Sequence, residues 1–208
     1  MSGIAIIGAG GHGRVIASVL QAANVPVAGF IDSGVKGELP FPLLGSDEDI
    51  PNLMSQGTIS SFIIGLGSIK GGPSLRAELF DKMIDYGLTP AVAIHPMAVF
   101  SPGVKIGAGC AVMAGVVVNT GTSIGKNSII NTGVIIDHDG NIGEHVHIAP
   151  GVTLSGNVTI GNHSLIGVGS TIRQGIKVGK NVTLGAGSVA VKNIEDEKTA
   201  FGNPAKPH

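Results

Sequence analysis

The sequence predicts two structural units: a small Rossmann-like α/β domain over residues 1–92 and an all-β parallel β-helix over residues 93–208. The β-helix is indicated by an aliphatic or aromatic residue at every sixth position from Ile94 to Leu184. A period of six fits neither an amphipathic helix nor a hairpin strand, but it suits a chain wound as a prism with one short strand and one corner per repeat. The α/β domain is indicated by apolar runs that alternate with glycine turns and helical stretches.

The elements of the first unit are predicted in a regular order. They are a buried strand (residues 4–7), a glycine turn (8–13), a helix (14–23), a second strand (26–31), a third strand with its turn (62–67) and a helix (74–86). Residues 90–95 then lead into the prism. This alternation is typical of a small parallel sheet covered by helices.

Each hexad has two inward positions and one corner. The aliphatic residue and the small or β-branched residue four positions later are predicted to point inward. The residue three positions after the aliphatic one forms a corner with positive φ, which Gly reaches freely and Asn, Asp and His more readily than other residues. These corner residues are Gly103, Gly109, Gly115, Gly121, Asn127, Gly133, Asp139, His145, Gly151, Asn157, His163, Gly169, Gly175, Asn181 and Gly187. Three hexads make one triangular coil, with stacked strands ~4.8 Å apart.

Composition limits the classes of function. The formal net charge of −1 argues against general nucleic-acid binding. No apolar run approaches the length of a membrane span, and the short apolar stretch at residues 4–7 lacks the basic lead of a signal peptide. The single cysteine excludes an internal disulfide and indicates a reducing compartment, so we expect a cytoplasmic protein.

The glycine turn is a candidate phosphate site. Gly8, Gly10 and Gly13 match the dinucleotide fingerprint, in which bare backbone approaches phosphates at a helix N-terminus. Only about one mononucleotide-binding half fits before the hexads begin, which favours a nucleotide-linked ligand over a full dinucleotide. The phosphates of the nucleotide-linked ligand would lie over the glycine turn, with Asp32 near the ribose or base. The alternative is a tight turn without a ligand.

His138 and Asp139 form the candidate chemical centre. His138 is at an outward position of its hexad, and Asp139 at the adjacent corner can offer a carboxylate to one imidazole nitrogen. Such a pair holds one tautomer and raises the basicity of the other nitrogen. The alternative is a polar surface histidine beside a tolerated corner residue.

The other histidines of the prism have structural interpretations. His145 and His163 are eighteen residues apart at corner positions, so we expect them to stack in one column with Asn127 and Asn181. Val146 separates His145 from His147 and places them on different sides of the strand, so no metal site is expected. His147 lies half a coil from His138, so the two can act together only across a subunit boundary or through an extended ligand.

Five motifs together resemble the sugar O- and N-acetyltransferase family, which includes the UDP-4-amino-sugar N-acetyltransferases and the sialic acid O-acetyltransferases. The motifs are the glycine turn at residues 8–13, Ile94-His95-Pro96, His138-Asp139, Ile142-Gly143-Glu144 and Gly202-Asn203-Pro204-Ala205-Lys206. The resemblance covers nearly the whole chain. It implies a left-handed β-helix that assembles as a homotrimer, with acetyl-CoA as co-substrate between adjacent prisms and no metal.

The resemblance also implies roles for individual residues. His138 would be the general base, with Asp139 as its acidic partner. Acetyl-CoA would contact Asn131, His147, Gly156, Val168 and Ala186. The nucleotide-linked sugar would contact Gly10, Gly11, His12, Asp32, Ser33 and Gly67, and the pair Asp32-Ser33 stands where some relatives carry two adjacent acids.

The activity implied is transfer of acetyl from acetyl-CoA to the 4-amino group of a nucleotide-activated amino sugar. A UDP-linked sugar is favoured, and GDP or dTDP is possible. Two other functions stay open at this point: O-acetylation of a sugar of the sialic acid type, and a non-catalytic trimeric binding protein.

Overall fold

The computed structural model describes residues 2–34, 37–67 and 75–208, and its first part is a five-stranded parallel sheet in the order β3-β2-β1-β4-β5. Its strands are β1 (Gly3–Ile7), β2 (Val27–Ile31), β3 (Leu43–Gly45), β4 (Ile59–Ile64) and β5 (Thr89–Pro90). Its helices are α1 (Gly11–Ala22), α2 (Ile50–Ser55), preceded by a 3-10 turn at Asp47–Asp49, and α3 (Leu75–Asp85). The carboxyl ends of β1, β2 and β4 therefore meet at one edge, where α/β sheets bind ligands.

The structure corrects several predicted bounds. Helix α1 begins at Gly11 rather than Arg14, because a glycine is tolerated in a first helical turn where the backbone N–H groups have no partner anyway. The second strand begins at Val27, since Pro26 has no N–H for the ladder. The sequence showed no clear signal for β3, α2 or β5. Helix α3 ends at Asp85, and the predicted start at Ser74 lies outside the described residues.

The second part is a β-helix of two-residue strands on three faces. The face toward the α/β domain, called the junction face, holds β6 (Ala93–Ile94), β9 (Ala111–Val112), β12 (Ile129–Ile130), β15 (His147–Ile148), β18 (Leu165–Ile166), β21 (Thr183–Leu184), β23 (Thr199–Gly202) and the antiparallel β24 (Ala205–Pro207). The apolar face holds β7 (Val99–Phe100), β10 (Val117–Val118), β13 (Ile135–Ile136), β16 (Thr153–Leu154), β19 (Thr171–Ile172) and β22 (Val189–Ala190). The polar face holds β8 (Lys105–Ile106), β11 (Ser123–Ile124), β14 (Asn141–Ile142), β17 (Thr159–Ile160) and β20 (Lys177–Val178).

The coil period confirms the interpretation of the hexads. Strands pair in parallel with a register of eighteen residues through β22, as in Val117 with Ile135 and Ile135 with Thr153. All fifteen predicted corner residues have positive φ, including Asp139 at 57° and His145 at 57°. The inward residues form one continuous core along the axis. The two-part fold class, with a left-handed β-helix as its second part, is confirmed.

The outward side chains give each face its own character. On the junction face, Ala93, Ala111 and Ile129 are buried in one cluster with Ile16 and Leu20 of α1. The polar face carries Lys105, Ser123, Asn141, Thr159 and Lys177. On the apolar face, Val99 is 59% exposed and Ile135 44% exposed. One hydrophobic strip of the β-helix is thus uncovered in the single chain.

None of the helices in the described ranges is long and apolar enough to cross a membrane.

Candidate active site

His138 and Asp139 lie at the edge where the apolar face turns into the polar face. The imidazole Nδ1 of His138 is 2.8 Å from Oδ2 of Asp139, and both side chains are exposed. Because a carboxylate can only accept, Nδ1 carries the proton and Nε2 keeps a free lone pair. The hydrogen bond to Asp139, with a further contribution from the charge of Asp137, raises the pKa of His138 above its usual value. The pair can therefore take up a proton at Nε2.

Asp137 is a second carboxylate beside this histidine, and the sequence analysis missed it. Its Oδ1 accepts hydrogen bonds from the His138 backbone N–H at 2.8 Å and from Asn119 Nδ2 at 2.9 Å. The bond from Asn119, followed by that from His138, lowers the pKa of Asp137. The signal was present at the coil period of eighteen, because Ser101, Asn119 and Asp137 form one polar column.

Two glycines one coil away make room for the pair. A Cβ added at Gly156 would lie 2.5 Å from His138 Nε2 and 2.6 Å from its Cε1, although the φ of Gly156 itself is ordinary. A Cβ added at Gly121 would collide with the Asp139 carboxylate. The histidine and its acid thus lie close to the neighbouring coils because those coils carry no side chain there.

The glycine turn forms a cleft at the carboxyl edge of the first sheet. The cleft has a volume of about 350 Å³, and its lining residues are Gly8, Gly10, Gly11, His12, Asp32, Gly65, Leu66 and Gly67. The Asp32 carboxylate accepts the backbone N–H groups of Ala9 and Gly34, each at 2.8 Å, so it holds the turn at the end of β2. Gly13 is required for packing, since a Cβ there would collide with the Gly8 carbonyl. Five of the six predicted sugar-site residues line this cleft, and Ser33 lines the adjoining one.

His12 and His147 meet at the junction between the two units. Their ring centroids are 6.5 Å apart, and His147 Nε2 is 3.3 Å from Asn131 Nδ2. The Asn131 oxygen accepts the Thr132 backbone N–H, so its amide nitrogen donates to His147 Nε2 and the ring proton is on Nδ1. Burial, followed by the charge of Arg76, lowers the pKa of His12 to about 3 and that of His147 to about 4. His12 Nε2 and His147 Nδ1 are buried and have no hydrogen-bond partner among the described residues.

Arg76 is a buried cation beneath this pair that sequence reasoning did not single out. Its side chain is 2% exposed and donates to the carbonyls of Ile64, Leu66 and Asn127. Burial lowers its pKa to about 9. The guanidinium therefore ties the end of β4, which lines the cleft, to a corner of the β-helix.

Comparison with protein families and solved structures identifies the fold's relatives. Residues 3–83 match the model of the PglD N-terminal domain. Residues 139–174 and 157–190 match the bacterial transferase hexapeptide, and residues 119–138 match the hexapeptide repeat of succinyl-transferase. A histidine-to-asparagine variant of perosamine N-acetyltransferase from Caulobacter crescentus, solved with CoA and GDP-perosamine, is 38% identical. The match covers 100% of this chain and 97% of that chain, with a TM-score of 0.94.

The chain belongs to the sugar acyltransferases of the hexapeptide family. The acetyltransferase domain of PglB from Neisseria gonorrhoeae, solved with acetyl coenzyme A, is 37% identical over 99% of this chain and 98% of that chain, with a TM-score of 0.89. WeeI from Acinetobacter baumannii is 26% identical over 100% of both chains, with a TM-score of 0.85. A comparison with curated proteins finds no match.

The predicted catalytic and acetyl-CoA residues of this hexapeptide acyltransferase lie in three places within one chain. His138, Asp139 and Gly156 are at the edge between the apolar and polar faces. Asn131 and His147 are on the junction face beside the glycine-turn cleft. Val168 and Ala186 are one coil apart at the edge between the junction and apolar faces, and Val168 is 55% exposed. The single chain therefore brings the sugar-site residues together but separates His138 from His147.

The two corner histidines of this hexapeptide acyltransferase stack as predicted. The rings of His145 and His163 are parallel within 3°, with centroids 4.9 Å apart, and Asn127 Nδ2 lies 3.0 Å from His145 Nδ1. Phe80 of α3 meets His145 edge-on. Burial, followed by the neighbouring His163, lowers the pKa of His145 to about 4. Within the described ranges, no group of three His, Cys, Asp or Glu side chains is arranged to hold a metal ion.

Proposed function

We propose that this chain is an acetyl-CoA-dependent N-acetyltransferase that acts on the 4-amino group of a nucleotide-linked amino sugar. The observation that carries the proposal is the free lone pair on His138 Nε2. Asp139 holds the ring proton on Nδ1, and both side chains are exposed at an edge of the β-helix. A perosamine N-acetyltransferase that is 38% identical over 97% of its length was solved with CoA and GDP-perosamine, which supports the same class of reaction here.

The sugar half of the site is assigned to the glycine-turn cleft. Backbone N–H groups at the start of α1 suit a diphosphate, and Gly10 and Gly11 leave the approach open because no atom lies within 4 Å of a Cβ added there. The buried charge of Arg76 beneath the cleft favours an anionic ligand. The sugar would then extend from Gly10, Gly11, His12 and Gly67 toward His147.

A homotrimer with sites between subunits would complete the active site. His138 and His147 are on different sides of one prism, so a sugar bound beside His147 needs the His138 of a neighbouring copy. The uncovered apolar face borders His138, which places a hydrophobic contact surface next to the base. Acetyl-CoA would lie in the shared groove, against Asn131, His147, Gly156, Val168 and Ala186.

The chemistry proposed is direct transfer in a ternary complex. The sugar amine attacks the thioester carbonyl, His138 Nε2 takes the amine proton, and CoA leaves as the thiolate. A backbone N–H would donate to the carbonyl oxygen as negative charge develops there, with neutral His147 beside the thioester. No covalent acyl-enzyme is needed. The location is proposed to be cytoplasmic, from the single cysteine.

Thiol release from acetyl-CoA with a panel of acceptors tests the proposal. We expect turnover with at least one 4-amino sugar linked to GDP, UDP or dTDP, and no comparable turnover with sialic acid. His138→Ala should lower kcat by about 10² to 10⁴-fold, the contribution of a positioned general base, because the amine proton loses its acceptor.

Each alternative has its own outcome in the same assay. Preferred turnover with sialic acid would replace the proposal by sugar O-acetylation. No thiol release with any acceptor, from protein that is a trimer by light scattering, would leave a non-catalytic binding protein. Near-normal turnover in His138→Ala would remove His138 from the mechanism.

A further inference from the structure

The glycine-turn cleft is the first of three cavities that follow one another along the carboxyl edge of the first sheet. The central cavity, of about 320 Å³, shares Gly8, Asp32 and Leu66 with the cleft. The outer cavity, of about 430 Å³, shares Ser33 and Asp47 with the central one. A continuous groove thus leads away from His12 and the β-helix.

The groove changes character along its length. Its central cavity has apolar walls from Leu66, Leu75 and Leu79, and Leu75 is 59% exposed. Its outer cavity is lined by polar and charged residues: Ser33, Ser46, Asp47, Glu48 and Lys82. A diphosphate at the glycine turn would therefore be followed by apolar walls and then by a charged end, the order in which a nucleotide presents phosphate, ring faces and base edge.

The acids near the groove are not equally available. Both oxygens of Asp32 accept backbone N–H groups of Ala9 and Gly34. Asp49 accepts the Ser46 backbone N–H at 2.8 Å and closes the 3-10 turn. Asp47 is different, because its Oδ2 is 2.8 Å from Lys82 Nζ and, within the described structure, its Oδ1 accepts no hydrogen bond. Both side chains of this pair are part-exposed, at 34% and 47%.

We propose that the pair of Asp47 and Lys82 reads the base edge and selects guanine, so that the substrate is a GDP-linked amino sugar. Guanine presents the O6 acceptor beside the N1–H and N2–H donors. Lys82 can donate to O6 while the Asp47 carboxylate accepts from both donors, a charge-assisted pairing. Uracil and thymine present an oxygen where guanine has N2–H, and that oxygen would face a carboxylate oxygen. The inference rests on the proposed function for the identity of the sugar donor.

Nucleotide binding tests the inference without acetyl transfer. Titration calorimetry would compare GDP, UDP and dTDP on the full chain and on Asp47→Asn. The matched control is Asp85→Asn, which makes the same change on an exposed residue of α3 outside the groove. We expect the wild type to bind GDP at least about 10-fold more tightly than UDP or dTDP. Asp47→Asn should lose most of that preference, because a single amide oxygen cannot accept both guanine donors, while Asp85→Asn keeps it.

The outcomes separate this inference from the proposed function. If the wild type binds UDP or dTDP as tightly as GDP or more tightly, or if Asp47→Asn keeps the preference for GDP, the pair of Asp47 and Lys82 does not select guanine. That conclusion would hold even if the protein acetylates a nucleotide-linked amino sugar. A preference for GDP that is lost in Asp47→Asn supports the selection of guanine by this pair. If no acceptor is acetylated in that case, only the proposed function fails.

Discussion

The imidazole of His138 lies against the backbone of Gly156, one coil further along the β-helix. A Cβ at Gly156 would be 2.5 Å from Nε2, the nitrogen that Asp139 leaves free. The φ of Gly156 is ordinary, so this glycine is needed for space rather than for its backbone angle. The position of the proposed base therefore depends on the absence of a side chain eighteen residues away.

Gly156→Ala should lower kcat/KM by about 10- to 100-fold, because the added methyl moves the imidazole by roughly an ångström, and a displacement of that size can cost 10²-fold. The melting temperature should change little, since the side chain that must move is exposed. In a His138→Ala background the same substitution should have no further effect on kcat measured at saturating acetyl-CoA. A full additional loss in the double variant would show that Gly156 acts independently of His138.

Asp139→Asn should shift the acid limb of the pH profile of kcat/KM to lower pH. The base must be neutral to accept a proton, and Asp139 raises the pKa of His138 above 6.5, so activity falls as pH drops through that raised value. With an uncharged partner at position 139, the pKa of His138 loses the main cause of its rise, so the limb should move to lower pH. Asparagine fits the corner, as Asn157 shows at φ 56° one coil on.

The control for that profile is Asp85→Asn, which removes one exposed carboxylate from α3 and should leave the limb in place. A profile of Asp139→Asn that coincides with the wild type would mean that the titration seen in kcat/KM belongs to another group, such as the substrate amine.

His145→Asn should reduce the loss of stability on acidification. The pKa of His145 is about 4 in the folded chain and near 6.5 when unfolded, so the unfolded chain binds more protons and stability falls between about pH 6.5 and pH 4. Asparagine accommodates the positive φ and cannot be protonated there. Denaturant unfolding at pH 7 and pH 4.5 should show a pH-dependent loss smaller by on the order of 1–2 kcal/mol. An unchanged loss would assign the acid sensitivity to His12 and His147.

Ile135→Lys should dissociate the proposed trimer. The residue is outward on the apolar face, and burying a lysine against a second copy without a partner charge is costly. Light scattering should show a monomer, and acetyl transfer should fall with it. The control is Thr159→Lys on the polar face, between Asn141 and Lys177, which should leave the mass unchanged. A trimer in Ile135→Lys would place the subunit contact elsewhere.

Much of the fold could be predicted because the β-helix is a local repeat. Each hexad specifies its own strand and corner, so the inward residues and the positive φ at Asp139 and His145 follow from position in the register. The first sheet was harder to predict from the sequence. Strands β3 and β5 are short, and helix α2 follows a 3-10 turn, so neither pattern nor length separates them from loops.

By itself, the sequence determined the two-part architecture, the His138-Asp139 pair and the glycine turn, because each is encoded by residues close together in the chain. Only the tertiary structure decided what lies between those elements: His12 against His147, Arg76 bridging three carbonyls, and Asp47 paired with Lys82. The first two contacts depend on how the sheet docks on the β-helix, and the third depends on how α3 packs beside the 3-10 turn. Packing between such distant segments has no periodic signature in the sequence.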